Sequence, residues 1–224
     1  MSASEEHLSL TVKISIVVSL LLFVSEGINY SQLAPFFPNE AELNKGLSEF
    51  LVGAITCCFD FANLFLTACL PLIATPQLNK FFFIAGATFG AVSNICFGVL
   101  GKGPGGSRYA VMCLFSRITM GMGAGMLWST GIPAIVSMAP AYAGRLTSLI
   151  ESGVGLGVAI GPPIGSLVYS LGGYMYPFVI SGSIEIVLVV IAVIAMPTRP
   201  ARSEKPRSTE ENEQHEELPK NDDK

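Results

Sequence analysis

Long apolar runs alternate with short polar segments along most of the chain. The runs cover residues 14–33, 47–75, 81–100, 109–138, 147–171 and 178–196. As a helix rising about 1.5 Å per residue, each run is long enough to cross a hydrocarbon core about 30 Å thick. The pattern therefore predicts an all-α membrane protein with six transmembrane helices.

The two ends of the chain need separate interpretation. A cleavable signal peptide is the alternative for the first run, but that run is too long, contains Glu26, Asn29 and Gln32, and precedes no small-residue cleavage site. After Pro197 the apolar pattern stops and charge becomes dense, which is typical of disorder. We therefore predict a six-helix transmembrane unit, 1–198, followed by a disordered charged cytoplasmic tail, 199–224.

Basic residues in the loops predict the orientation, because Lys and Arg are enriched on the cytoplasmic side of a membrane. With the N-terminus in the cytosol, seven basic residues close to the spans fall inside and three outside. The inside residues are Lys13, Lys80, Arg145, Arg199, Arg202, Lys205 and Arg207, and the outside residues are Lys45, Lys102 and Arg108. Both termini are thus predicted to be cytoplasmic, in agreement with an even number of spans.

Composition narrows the classes of function. Half of the residues (50%) are hydrophobic, 13% are charged, and the mean hydropathy is +0.55. The chain has no basic patch of the kind that nucleic-acid binding needs. Both histidines lie in polar terminal segments, and the cysteines form no Cys-x-x-Cys pair. We therefore expect no enzyme, no cofactor, no metal site and no nucleic-acid partner.

Glycines recur at every fourth position of the fifth run. They are Gly153, Gly157, Gly161 and Gly165. On a helix this spacing forms one flat stripe, which lets another backbone approach closely in lipid. Pro162 and Pro163 interrupt the same run, which predicts a kinked spanning helix. A tightly packed helix with no moving role is the alternative, and the stripe is also compatible with a homodimer interface.

Charged side chains inside the spans are the candidate site, because each would cost several kcal/mol if it faced lipid. They are Glu26, Asp60, Arg117, Glu151 and Glu185. Glu151 has an interfacial position as its alternative. Capping of a helix kink is the alternative for Asp60. For Glu185, as for Glu151, a functional and an interfacial position both remain open.

Glu26 heads the most informative pattern, since Asn29 and Tyr30 follow three and four residues later. We expect these three side chains to project from one side of the first helix and to surround a cation. A structural ion pair between Glu26 and Arg117 is the alternative. Arg117 itself precedes Gly121 and Gly125 at four-residue spacing, which places a charge above a flat groove.

Several segments resemble the major facilitator superfamily. GVAIGPPIG resembles the Gly-Pro motif in the fifth helix of its antiporters, and RITMGMGAG resembles its fourth-helix Arg-Gly motif. YSQLAPFFPNEAELNKGLSEFLVG, FFFIAG and LVYSLGGYMYPF look like the vesicular amine and polyamine transporter branch. The likeness extends over about residues 10–197.

The resemblance implies half of a twelve-helix bundle, namely the N-terminal six helices arranged as a 3+3 inverted repeat. It implies that Glu26 holds the first-helix acidic position linked with amine binding, that Arg117 is linked with proton coupling, and that Gly161-Pro162 is the bend linked with antiport. The loop LPLIATPQLNKFFF lacks the Asp-Arg-x-Gly-Arg-Arg pattern of the family's cytoplasmic gate. That departure puts gating by this latch in question.

The leading hypothesis is a proton-coupled antiporter of organic cations, such as amines or polyamines, in a vesicular, endosomal or plasma membrane. A midplane site between two halves needs a second half, from another chain or a second copy in a homodimer. The alternative hypothesis is a truncated, non-transporting membrane protein that associates with or regulates a full-length transporter.

Overall fold

The computed structural model describes residues 9–196, and within them the chain is helical with no strand. The six long helices are α1 Leu10–Ser31, α2 Glu49–Cys69, α3 Asn79–Leu100, α4 Ser107–Met138, α5 Ala143–Gly172 and α6 Met175–Ala195. All six are long and apolar enough to cross a membrane. The six spans expected from the sequence are thus confirmed. The predicted tail, 199–224, lies outside the described residues.

Local sequence explains where the helices begin and end. The side chains of Ser9 and Ser48 accept hydrogen bonds from Val12 N and Leu51 N, so they cap α1 and α2. Gly173 follows α5 with φ 81°, a left-handed conformation that favours glycine. α5 stays helical through both of its prolines.

The six helices pack as two related sets of three. α1 packs on α5 as α4 packs on α2, and α1 meets α6 as α4 meets α3. α3 and α6 also contact each other. Exchanging the first three helices with the last three therefore preserves these main contacts. Because three crossings carry the chain to the opposite side, the second set is inverted, as expected for one half of a twelve-helix bundle.

The two larger apolar clusters of the bundle lie one toward each end of the helices. The cluster on the side where α1 begins includes Leu22, Phe23, Phe83, Ile135 and Ile150. The cluster on the other side includes Phe36, Phe37, Phe97, Tyr109 and Phe178. Buried polar side chains of α1, α3, α4 and α6 lie between these clusters.

The connection between α1 and α2 folds over one end of the bundle. It contains a one-turn helix, Phe37–Asn39, and a π-helical turn, Glu40–Asn44. Lys45 Nζ then donates hydrogen bonds to the carbonyls of Gly101 (2.6 Å) and Gly103 (2.7 Å) in the loop between α3 and α4. The predicted polar loop is therefore a packed cap on the helix ends.

Candidate functional site

Glu26, the first-helix carboxylate predicted to bind a cation, lines a pocket of the bundle. The pocket has a volume of about 250 Å³ and opens between α1, α2, α4 and α5. Its lining residues are Glu26, Gly27, Tyr30, Phe59, Asp60, Asn63, Trp128, Val154 and Val158. We call it the Glu26 pocket. It combines two carboxylates with aromatic walls.

Glu26 is the buried acid of this pocket, with only 4% of its surface exposed. Its Oε1 atom has no hydrogen-bond partner among the described residues. Asp60, by contrast, is exposed on α2. Tyr30 packs against Phe59 with ring centroids 5.4 Å apart, so aromatic surface adjoins both acids. A carboxylate beside aromatic faces can attract a cation through charge and through the ring quadrupole.

Asn29 does not join Glu26 and Tyr30 in the pocket, contrary to the sequence expectation. Successive residues of an α-helix diverge by about 100°, so Asn29 and Tyr30 point in different directions. Asn29 is fully buried, and its Nδ2 donates a 2.6 Å hydrogen bond to Oε2 of Glu185 on α6. The three side chains therefore divide between two environments.

Asn29 belongs instead to a buried polar network behind the pocket. The network consists of Asn29, Gln32, Asn94, Ser181 and Glu185. Asn94 Nδ2 donates to Asn29 Oδ1 (3.0 Å) and to Ser181 Oγ (2.9 Å). Gln32 Nε2 donates to the same Ser181 oxygen at 3.0 Å. Helices α1, α3 and α6 are thereby joined by side-chain hydrogen bonds in the interior of the bundle.

Arg117 is buried without a direct acidic partner among the described residues. It is 2% exposed, its Nη1 contacts Met120 Sδ at 3.5 Å, and its Nε and Nη2 have no hydrogen-bond partner. The guanidinium lies over the rings of Phe97 (4.7 Å) and Phe59 (5.8 Å). The alternative of a hydrogen-bonded ion pair with Glu26 is therefore not observed, and cation–π contacts hold the guanidinium instead.

Glu151 lies apart from this site. It is exposed on α5 and does not line the Glu26 pocket. The structure therefore groups Glu26, Tyr30 and Asp60 at the pocket, places Arg117 behind Phe59, and leaves Glu151 on the outer face of the bundle.

The glycine stripe of α5 packs on α1 within the same chain. A methyl group at Gly157 would meet the carbonyl oxygen of Val24, and one at Gly161 would lie 3.0 Å from the carbonyl oxygen of Ile28. Conversely, a methyl group at Gly27 would lie 2.6 Å from the carbonyl oxygen of Val154. The expected close backbone approach is thus present. Because α1 covers the stripe, the stripe is not available as a homodimer interface.

Glycines of α4 serve two different neighbours. Gly121 and Gly125 face α2, where added methyl groups would meet Phe59 and Leu66. Gly123 faces α3, and a methyl group there would lie 2.7 Å from the carbonyl oxygen of Gly86. The groove predicted beneath Arg117 is therefore occupied by α2. These contacts set the positions of Phe59 and Asp60 relative to Glu26.

Sequence reasoning missed four features of this region. Phe59, Asn63 and Trp128 line the pocket, and Asn94 connects the network behind it. Asn63 follows Asp60 by three residues within one apolar span, so the polar pair itself was the available signal. Phe59 and Trp128 carry no signal that separates them from other apolar span residues.

A six-helix bundle of two inverted three-helix units, with a buried carboxylate facing an internal pocket, is the architecture of a transporter half. The family model of the Major Facilitator Superfamily matches residues 17–220, and the chain belongs to that superfamily. Its members are in general transporters and not enzymes. The chain is accordingly an integral multi-pass membrane protein.

The similar proteins belong to the transporter branch that the sequence resembles. The chain is 33% identical over 162 residues to the MFS-type transporter SLC18B1 of mouse, rat and human. The alignment covers 72% of this chain for mouse and rat and 71% for human. In each case it covers 35% of the relative, so the match spans about a third of the relatives' length. The resemblance to the superfamily and to its vesicular amine transporter branch is thus confirmed.

Proposed function

We propose that this chain is the N-terminal half of a proton-coupled antiporter that exchanges organic cations, such as amines or polyamines, for protons. The observation that carries the proposal is the Glu26 pocket. There, a buried carboxylate with an unpartnered oxygen adjoins a second carboxylate and aromatic rings. Such a lining favours a ligand with a positive charge and an apolar body.

The pocket residues have distinct roles in this proposal. Glu26 binds the charged nitrogen, because an ionised carboxylate is a pure acceptor and Oε1 lacks a donor. Tyr30 and Phe59 provide aromatic surface, and Asp60 draws cations toward the opening. Protonation of Glu26 releases the ligand by removing the charge that holds it. An acidic compartment therefore favours unloading on its own side.

Other residues support exchange from outside the pocket. Arg117 adjusts the charge of the site from behind Phe59. Gly161 and Pro162 allow α5 to move against α1 as the site changes its exposure, since a seam without side chains needs little repacking. Glu151, on the outer face of α5, is left for contact with the lipid headgroups or with the second half.

Alternating access requires a second six-helix unit opposite the pocket. We place it in another region of a longer protein or in a second chain, with both termini of the present unit in the cytosol and the residues 199–224 forming a cytoplasmic tail. The membrane is vesicular, endosomal or plasma membrane. A homodimer of halves would have to use surfaces other than the glycine stripe.

Binding to the purified 224-residue chain tests the proposal. Radiolabelled spermidine is expected to bind saturably in detergent, and Glu26→Gln is expected to raise Kd about tenfold or more, as for loss of a charged hydrogen bond. Glu49→Gln, an exposed acid at the start of α2, is the matched control. Absence of saturable binding, or equal Kd values for Glu26→Gln and Glu49→Gln, would contradict the assignment.

Transport is tested separately in proteoliposomes that contain the chain and have an acidic interior. Uptake of spermidine that collapses when an ionophore removes the pH gradient would show proton coupling by the chain alone. Binding without uptake would show that the chain holds a cation site but needs a second six-helix unit for transport. Uptake by the chain alone would exclude the alternative of a non-transporting membrane protein.

A further inference from the structure

A second buried carboxyl group lies directly behind the Glu26 pocket. Glu185 on α6 has no exposed surface (0%). Its Oε2 accepts the 2.6 Å hydrogen bond from Asn29, which in turn is oriented by Asn94. Its Oε1, however, has no partner among the described residues. One oxygen of this carboxyl is thus fixed in position and the other is left free.

Glu185 and Glu26 face the same space on α3. A methyl group built on Gly90 would lie 3.4 Å from Oε1 of Glu185 and 3.8 Å from Oε2 of Glu26. Glycine at this position leaves room that any other residue would fill. The two carboxyl groups therefore border the same surface, which carries no side chain.

Few other charged or titratable groups face this pair. Arg117 reaches the region from α4, and Asp60 and Tyr30 lie on the pocket side of Glu26. The network residues that surround Glu185 from α1 and α3 are neutral amides. With both carboxyls ionised, two negative charges would face the single positive charge of Arg117. One proton bound by the carboxyl of Glu26 removes the excess charge and supplies a donor for Oε1 of Glu185, which has none among the described residues.

On this geometry we infer that Glu185 and Glu26 form one shared proton site, with Glu185 as its inner member, so that an arriving cation displaces a proton held between them. This inference rests on the proposed function and specifies how its proton is held. The cation enters from the pocket and pairs with Glu26, and the proton leaves the pair through the carboxyl of Glu26 to pocket water. One ammonium group of the ligand replaces one proton, so the charge at the two carboxyls does not change.

Proton release on cation binding tests this inference. The purified chain is titrated with spermidine in weakly buffered detergent solution containing a pH-indicator dye. The wild type is expected to release protons as it binds. Glu185→Gln keeps an acceptor for Asn29, so it is expected to bind spermidine and to lose the release. Glu185→Asp restores a carboxyl and is expected to recover part of the release, and Glu49→Gln is expected to match the wild type.

A second variant covers the case in which Glu185→Gln fails to fold. Gly90→Ala places a methyl group at ordinary contact distance from both carboxyls, so the helix packing is retained while the space between them is filled. It is expected to reduce the proton release. Release that is unchanged in Glu185→Gln, or in Gly90→Ala if only that variant folds, overturns the inference.

Infrared spectroscopy separates this inference from the proposed function. A pH-difference spectrum of the cation-free protein is expected to contain a carboxylic acid C=O band that is absent in Glu185→Gln. If the wild type binds no spermidine but this band is lost in Glu185→Gln, the cation assignment fails and the proton site stands. If the band is the same in both proteins, the proton site is overturned whatever the outcome of the binding measurement.

Discussion

The side-chain amide of Asn29 donates a 2.6 Å hydrogen bond to the carboxyl of Glu185, across 156 residues of sequence. This contact joins the first helix to the last one inside the bundle. It also removes Asn29 from the pocket that its neighbours Glu26 and Tyr30 line. A single hydrogen bond thus separates the side chains that line the pocket from those that pack behind it.

The α1–α5 seam is predicted to depend on glycine at position 157. Gly157→Ala would press a methyl group against the backbone of α1, including Ile28 N at 3.1 Å. We expect a loss of about 1–3 kcal/mol of unfolding free energy, as for other overpacked sites. Thermal unfolding in detergent measures it. Gly155→Ala on the same helix meets nothing within 4 Å and is the control. Equal melting temperatures for the two variants would contradict the dependence of α1–α5 packing on glycine at position 157.

The buried polar network is predicted to stabilise the bundle through Asn94. Asn94→Leu keeps the approximate size of the side chain but leaves Asn29 Oδ1 and Ser181 Oγ without its amide donor. Gln32 Nε2 still donates to both oxygens, so the cost is that of the lost Asn94 hydrogen bonds, about 0.5–1.5 kcal/mol each, and the variant is expected to melt earlier. Thr88→Val on the exposed face of α3 is the control, because its hydroxyl bonds only within its own helix, to Ile84 O. Similar melting of both variants would show that the network adds little stability.

The cap over the helix ends is predicted to depend on Lys45. Lys45→Met removes the two hydrogen bonds from Nζ to the carbonyls of Gly101 and Gly103. Hydrogen bonds of charged groups contribute about 1.5–3 kcal/mol, so amide exchange in the α3–α4 loop is expected to accelerate about 10–100-fold. Hydrogen exchange with mass spectrometry measures this. Lys102→Met, an exposed lysine of the same loop, is expected to leave the rates unchanged.

Asp60 and Glu26 are predicted to contribute unequally to cation binding. Asp60 is exposed, so Asp60→Asn is expected to raise Kd for spermidine by only about two- to fivefold, within the range of surface charge interactions. Added salt is expected to abolish this difference, because exposed charges are screened. The larger effect of Glu26→Gln is expected to persist, since Glu26 is buried. Binding at two salt concentrations checks both statements. A salt-resistant effect at Asp60 would place it in direct contact with the ligand.

The spans were predictable because lipid imposes a simple rule: each crossing helix needs one long apolar run, and the chain displays six. The glycine stripe was equally readable, since four-residue spacing defines a helix face without knowledge of its neighbour. The identity of that neighbour was not readable. Nothing in the sequence distinguishes α1 of the same chain from a helix of another copy as the partner of Gly157.

The site was predictable only as separate residues. Glu26 is conspicuous because a carboxylate inside an apolar run demands an explanation. Its relation to Glu185 depends on the bare surface at Gly90 on a third helix, and no spacing along the chain encodes such a meeting. The prediction that Asn29 lines the pocket was wrong for a related reason. Residues three and four positions after Glu26 lie on either side of it on the helix surface, and tertiary packing determined that Tyr30 and not Asn29 joined the pocket.

The long separation between Asn29 and Glu185 has a consequence for biogenesis. At about 5–20 residues per second of synthesis, the 156 residues between Asn29 and its partner take on the order of ten seconds or more to emerge. During that interval the first helix carries a carboxylate and amides that lipid does not solvate. The nascent chain is therefore expected to remain beside the insertion machinery until its sixth helix arrives.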